Sequence, residues 1–320
     1  MSRPFAPRTR VSTYLSAWMP TDDETRQSVA GYVAGGRDVS NVFYDNIQKF
    51  AFPADTKTTL AAVLTTAVQY PSGFANSGVA GYCAGGNSIS GIDKIAFPAD
   101  TKTTLSATLT TGSREHAGFA NSAVAGYVAG GYDGADLVRT DKITFPADTK
   151  TTLASNLTYG GQLDGGAFAS NNVAGYTLGG NNGGVYNDDI EKIAFPSDTI
   201  SVLAAVLTSV NSAPGGVCDD GVAGYCVGGF NSSARVTRID KIVVTTDTKS
   251  TLSATLTTAR NAVGSFSDSG VAGYVAGGYG TSPLNSVEKL AFPAETVSTI
   301  AATLTTAVFA ATGFSNQGVF

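Results

Sequence analysis

Ser113, Glu115 and His116 bring together a hydroxyl, a carboxylate and the only histidine of the chain, the ingredients of a nucleophilic triad. They are near neighbours on one loop, whereas triads are assembled from separate elements, so the sequence argues against catalysis there. Cys83, Cys218 and Cys226 lack zinc spacing. Cys83 and Cys226 stand at the same place in two copies of a repeat, where three of the other four carry Val, and read as small buried thiols. Cys218 reads the same way, although a hairpin would let it face Cys226. Nothing demands an oxidising compartment. Gly-rich stretches follow strands but open no helix, so neither a P-loop nor a dinucleotide fingerprint is present. A sialidase-style Asp box would need a Trp in each repeat, and the one Trp lies elsewhere. Asp133 with Asp136, and Asp188 with Asp189, offer oxygen ligands for Ca²⁺ without EF-hand spacing, and read as solvated loop acids. No cofactor is expected.

Two polar series recur once per repeat. Lys49, Lys94, Lys142, Lys192, Lys241 and Lys289 form one, and Asp55, Asp100, Asp148, Asp198, Asp247 and Glu295 the other. A ring of lysines suits a polyanion. The plainer reading packs each lysine stem along its own unit, with the ammonium meeting a nearby acid such as Asp93 or Asp141.

The positioning elements follow from the repeat itself. VAGYVAGG at 29–36 returns, little changed, at 79, 124, 173, 222 and 271. Its tyrosines, Tyr32, Tyr82, Tyr127, Tyr176, Tyr225 and Tyr274, are separated by 50, 45, 49, 49 and 49 residues. They read as packing residues rather than a ligand platform. Charge is sparse at 14%, and the 320 residues include 38 Gly and few helix formers, which is β-type material. A double glycine at a period near 50 marks a propeller blade. Each unit divides into strand a near Phe74, strand b at 79–86, strand c at 93–98 and strand d at 103–111. Alternation places Ile95 with Phe97 on one face of c, and Leu105 with Leu109 on one face of d. Side chains grow from Ala and Gly in b, through Ile and Phe in c, to Leu in d, as radial sheets that diverge outward require. The chain stops after one more strand a, GFSNQGVF at 313–320, while the first unit starts directly at b. The expectation is therefore an all-β, six-bladed propeller of four-stranded antiparallel blades over 28–320, its last strand completing the first blade.

The double glycines (Gly35/Gly36, Gly85/Gly86, Gly130/Gly131, Gly179/Gly180, Gly228/Gly229, Gly277/Gly278) and the PADT-like turn after strand c resemble the kelch family of propellers. The chain departs from that family where kelch units carry a Tyr and later a Trp. The wording of the unit, AGYVAGG through DKITFPADTKTTL to TLTT, also resembles repeats of tailed-phage and cyanophage virion proteins.

Internal comparison separates the two ends of the propeller. The a–b and c–d connections keep both length and letters in every unit. Between the double glycine and the strand-c lysine, by contrast, lie 12, 7, 10, 11, 11 and 10 residues with almost nothing in common. The d-to-a connections also differ in letters. In an up-and-down blade these two variable sets emerge at one end, an arrangement suited to recognition. Aromatic residues there are the candidate contacts for a sugar or a protein: Phe43, Tyr44, Tyr70, Tyr132, Tyr159, Tyr186, Phe230, Tyr279 and Phe309.

Residues 1–27 carry no repeat letters and read as an attachment arm, through Arg3, Phe5, Arg8, Arg10, Tyr14 and Trp18. VSTYLSAW within it suits an added outer strand or a neighbouring subunit. The arm lacks the apolar run of a signal peptide, and no stretch of 18 apolar residues suggests a membrane helix. A net charge of −5 without a broad basic face argues against nucleic acid. The phage resemblance implies a non-enzymatic virion protein, assembled in the host cytoplasm. The arm would join other virion proteins, and the variable face would bind a host surface glycan or protein as part of a tail fibre. A capsid decoration or head-fibre role is the alternative, and a polysaccharide-active enzyme the third reading.

Overall fold

The computed structural model describes residues 30–161 and 166–316. Among the described residues, twenty-four strands, β1–β24 in chain order, fall into six separate four-stranded antiparallel sheets. Blade 2 is typical: Ser72–Asn76 (a), Ala80–Ala84 (b), Ile92–Ala96 (c) and Thr101–Thr104 (d). Blade 1 has the order β24–β1–β2–β3, where β1 is Ala30–Ala34, β2 Tyr44–Ala51, β3 Thr56–Val68 and β24 Thr312–Ser315. The final strand therefore pairs with the first, Tyr32 opposite Phe314, and closes the ring as expected. The arm and all its candidate residues lie outside the described residues.

Strand d differs from its expected span of 103–111. Outside blade 1 it ends early, as at Thr104 in blade 2. Leu105 N then bonds Ile92 O and Leu109 N bonds Ser90 O, so the ladder is touched once every four residues and the chain bows out between. Leu109 still turns inward, but alternation is lost. Only β3 continues as a strand, with register shifts against β2.

Neighbouring blades are fastened by residues that recur in all six. Each strand b carries an adjacent Gly–Tyr pair whose two residues face opposite sides of the sheet. A Cβ on Gly126 would lie 2.1 Å from the ring of Phe74 in the preceding blade, and one on Gly81 2.2 Å from Phe314. The small residue of strand b thus exists because a ring from the inner strand next door fills its place. The innermost strand carries the larger side chain, so the expected outward taper begins only at b. On the other side, Tyr82 lies between Phe74 of its own blade at 4.9 Å and Phe145 of the next at 5.2 Å. Its hydroxyl donates to Asp148 at 2.8 Å. Burial, followed by that bond, pushes the hydroxyl far up, so it stays a donor.

The lysine ring and the acid ring prove to be one device. Lys94 Nζ lies 2.6 Å from Asp148, the carboxylate already held by Tyr82. The same link joins Lys49 to Asp100, Lys142 to Asp198, Lys192 to Asp247, Lys241 to Glu295 and Lys289 to Asp55. The expectation that each lysine meets its own preceding acid is corrected. Lysine and its preceding acid are sequence neighbours on a strand and point to opposite faces. That preceding acid serves the other seam: Asp93 accepts Thr65 N and Oγ1 of the preceding blade, both at 2.7 Å. Asp141, Glu191, Asp240, Glu288 and Gln48 take the equivalent bonds. Burial pushes Asp141 up, but the Thr110 amide, the Thr152 and Thr110 hydroxyls and Lys150 together hold it below its usual value.

At the constant end the a–b turns are stitched blade to blade. Ser77 N donates to Ser122 Oγ, Ser122 N to Asn171 and Asn171 N to Asp220, while Ala123 N returns to Asn76 and Asn172 N to Asn121. These bonds between neighbouring turns give a physical reason for the constancy of that end. Around the axis the inner strands meet backbone to backbone: a Cβ on Gly118 would lie 2.2 Å from Gly73 O, and one on Gly313 2.0 Å from Ser265 O.

Two outcomes test this packing. Gly126→Ala should cost roughly 1–3 kcal/mol by overpacking, read from the urea midpoint, and Phe74→Leu in the same chain should restore part of it. Asp268, 2% exposed with Oδ1 unbonded, has its carboxyl raised by burial to about 6. Its folded form holds a proton that the unfolded chain has released. Stability should therefore fall between about pH 4 and pH 6, by up to roughly 3 kcal/mol. Asp268→Asn should remove that slope, whereas an unchanged pH profile would refute the assignment.

Candidate functional site

All b–c loops and d–a connections emerge at one end, as the blade topology requires. There the backbone links each loop to its neighbours: Gly86 N bonds Ser113 O, and Gly36 N bonds Val68 O. Isolated bridges pair Arg37 with Phe309, Arg114 with Tyr132, Ser212 with Phe230 and Asn261 with Tyr279. Each loop root is thereby fixed to the connection beside it, while the loop tips stay exposed.

The structure gathers most of the candidate aromatics into a belt that the sequence reading missed, because three arginines link its six rings. Tyr186 meets Phe230 edge-on at 5.8 Å. The Arg235 guanidinium lies 5.9 Å from the Phe230 ring centre and 4.3 Å from that of Tyr279. Tyr279 packs against Phe309 at 5.0 Å. Arg37 continues the belt, 4.4 Å over Phe309 and 6.0 Å from Tyr70. Beyond Tyr70, the Glu115 amide donates to Tyr70 O, and Arg114 lies 5.4 Å over Tyr132. The belt thus runs over blades 4, 5, 6, 1, 2 and 3. Hydrogen bonds orient two of the guanidinium groups, Arg37 Nη1 to Asn41 at 3.1 Å and Arg235 Nε to Asn261 at 3.0 Å, and an ion pair the third, with Arg114 Nε 3.1 Å from Glu115.

The candidate aromatics differ in exposure. Phe309 is 8% exposed, capped by Arg37 and Tyr279. Tyr44, Tyr70, Tyr132, Tyr186, Phe230 and Tyr279 are half-buried; only Phe43 and Tyr159 are well exposed. Tyr44 is spent on its own loop, donating to Asp38 Oδ2 at 2.9 Å. Asp38 also accepts Ser40 N and Val42 N, and these bonds, Val42 first, lower its carboxyl. The adjacency of Arg37 to the double glycine, and of Arg235 to an aromatic loop, was the signal available for the arginines.

The hydroxyl, acid and imidazole singled out in the sequence do not assemble as a triad. Ser113 Oγ does lie 2.7 Å from His116 Nε2. Glu115 instead pairs with Arg114, and His116 Nδ1 has no partner. Both Ser113 and His116 are buried. Burial lowers the imidazole to about 3, so it is neutral. His116 and Glu115 line a hollow of about 20 Å³ at the mouth of the axis, room for roughly one water. No group of three or more metal-binding side chains occurs among the described residues. Asp133 accepts from Thr111 and Asp136 from Gly183, which ties each into loop structure. Stacked guanidinium edges and ring edges on a rigid rim are groups for holding a ligand.

No family model matches the sequence, and no curated protein does. A solved structure described as "Structure of YjhT" aligns with a TM-score of 0.63 over 77% of this chain and 87% of that one, at 12% identity. The likeness shows the propeller fold.

The single histidine provides a direct check on the axial packing. Its imidazole resonances should stay fixed from pH 8 to pH 5. The unfolded chain gains a proton below about 6.5 and the folded chain does not, so stability should fall by roughly 2 kcal/mol on reaching pH 5. A midpoint near 6.5 in the NMR titration would show that the ring is solvated.

Proposed function

We propose that this chain is a kelch-like, non-enzymatic virion protein of a tailed phage. Its variable end binds a host surface glycan or protein, and residues 1–27 attach the propeller to other virion proteins. The observation that carries the reading is the division of labour between the two ends. The constant end is closed by turn-to-turn hydrogen bonds, whereas every variable loop opens on the other end around the arginine–aromatic belt. Guanidinium and aromatic groups held half-exposed on a rigid frame are the common anchors of recognition surfaces. The virion assignment is supported by the wording of the repeat, and the adhesive role by the belt.

Purified protein should bind host cells, and exchanging loops 37–48 and 181–191 for those of other blades should abolish binding without lowering the melting temperature. Arg235→Ala with Tyr279→Ala should weaken binding at least tenfold. Unbound protein, together with particles that lose stability when the chain is removed, would favour the decoration role instead. Turnover of host polysaccharide would favour the enzyme.

A further inference from the structure

The seam between blades 1 and 2 is built differently from the others. In blade 2, Gly86 is followed by Asn87 and Ser88, both in the left-handed region at φ 48° and 62°, and Ile89 N returns to Gly86 O at 2.8 Å. This is a two-residue turn. At the matching points Leu137, Val236 and Leu284 return to Gly131, Gly229 and Gly278 only after longer excursions. A second difference lies three residues before the strand-c lysine. The other blades carry Asn46, Arg139, Asp189, Arg238 and Ser286 there; blade 2 carries Gly91. Arg139 reaches across its seam to the Thr111 hydroxyl, and Arg238 Nε lies 3.2 Å from Asp240. Ser286 is met at 2.9 Å by the buried Arg260. A Cβ on Gly91 would meet nothing within 4 Å.

The short turn and the missing side chain leave a cleft of about 450 Å³ on the variable end. That is the size of a small-molecule site. Leu64, Val68 and Ile89 form an apolar wall, and Thr66 and Ser90 bring hydroxyls to it. Asp93, the one acid in the lining, is taken up by Thr65 and Thr104 at 2.7 Å and by Lys102 at 3.5 Å. The cleft therefore offers hydrogen-bonding groups and apolar surface without an uncompensated charge. We infer that it holds a neutral, hydroxyl-rich small molecule of the class of a single sugar residue, and that it is a subsite of the adhesive face. Hydrogens on a sugar's flat face suit the Leu64–Val68–Ile89 wall, and its hydroxyl edge suits Thr66 and Ser90. The subsite role rests on the adhesion reading; the sugar site itself does not.

The test titrates the full chain with neutral hexoses and N-acetylhexosamines by saturation-transfer NMR, with glucuronic acid as the charged counterprobe. At least one neutral sugar should bind and glucuronic acid should not. Gly91→Arg, which restores the residue found in blades 3 and 5, should abolish the signal at an unchanged melting temperature. Thr66→Val with Ser90→Ala, which keeps the wall but removes two hydroxyls, should weaken binding at least about fivefold. This pair decides the matter if the arginine variant melts early. No binding of any neutral sugar, preference for the acid, or full binding by both variants overturns the proposal. Sugar binding by a chain that does not bind host cells keeps the cleft and overturns the adhesion reading. Host binding that survives Gly91→Arg while the sugar signal is lost keeps the sugar site and removes its place in adhesion.

Discussion

The structure depends on one steric constraint: an aromatic ring on the inner strand of five of the six blades needs an empty place on strand b of the next. The glycine of Ala-Gly-Tyr is that place. A Cβ about 2 Å from the Phe74, Phe119 or Phe266 ring is not tolerable, so glycine is required at Gly126, Gly175 and Gly31. The tyrosine beside it faces the other way, because adjacent residues of a strand do. Two neighbouring letters therefore specify both seams of a blade. Glycine receives the ring from behind, and tyrosine carries a hydroxyl forward to the acid of the next c–d turn. Where the ring is lost, as at Val217, the gap at Gly273 is still filled, but Tyr225 keeps only Phe292 as a stacking partner and its bond to Glu295 lengthens to 3.5 Å.

Polar groups then set the angle between blades more than they add stability. Each Lys–Asp pair is partly solvated, with side chains near one-fifth exposed, and an isolated pair of that kind contributes about 1 kcal/mol at most. Its value is geometric. One carboxylate takes a tyrosine hydroxyl on one oxygen and a lysine ammonium on the other, as Asp148 does at 2.8 and 2.6 Å. The turn is thus fixed against two residues of the preceding blade. The Thr-to-acid bonds do the same farther out, from Thr65–Asp93 round to Thr305–Gln48. Gln48 shows that a carbonyl oxygen suffices there, so the requirement is for an acceptor rather than a charge. Closure by β24 gives blade 1 the same partners, with Phe314 against Tyr32 at 5.1 Å.

Much of this was legible because repetition lets one chain act as its own alignment. Blade number, strand order, closure and the split between constant and variable ends all follow from where VAGYVAGG and PADT recur. What stayed hidden is contact between units. A series of lysines and a series of acids at fixed separation gives no indication that Lys94 reaches Asp148 rather than Asp93, since the pleat that separates neighbours is local while the seam is not. The irregular course of strand d escaped for a related reason: leucines four apart satisfy a strand read at every second alternation as well as a bowed chain touching its neighbour at Ile92 and Ser90. On the rim, aromatic residues were visible, but their exposure was not. Whether Phe309 lies open or under Arg37 depends on a loop from the far end of the sequence.

The same constraint explains why the rim is free to vary. The residues that fasten the seams, namely ring, glycine, tyrosine, lysine and acid, lie on strands a to c and in the c–d turn. The b–c loops contribute roots but few seam contacts, so their tips can lengthen to twelve residues or shrink to seven. The seam between blades 1 and 2 marks the lower limit of that freedom. There the ring of Phe314 still covers Gly81, Tyr32 still reaches Asp100 at 2.8 Å, and Thr65 still caps Asp93. Every fastening is present although the filling above it has gone. A propeller whose blades are locked low and near the axis can leave one seam open at the top, and the cost of that opening falls on the loops rather than on the ring.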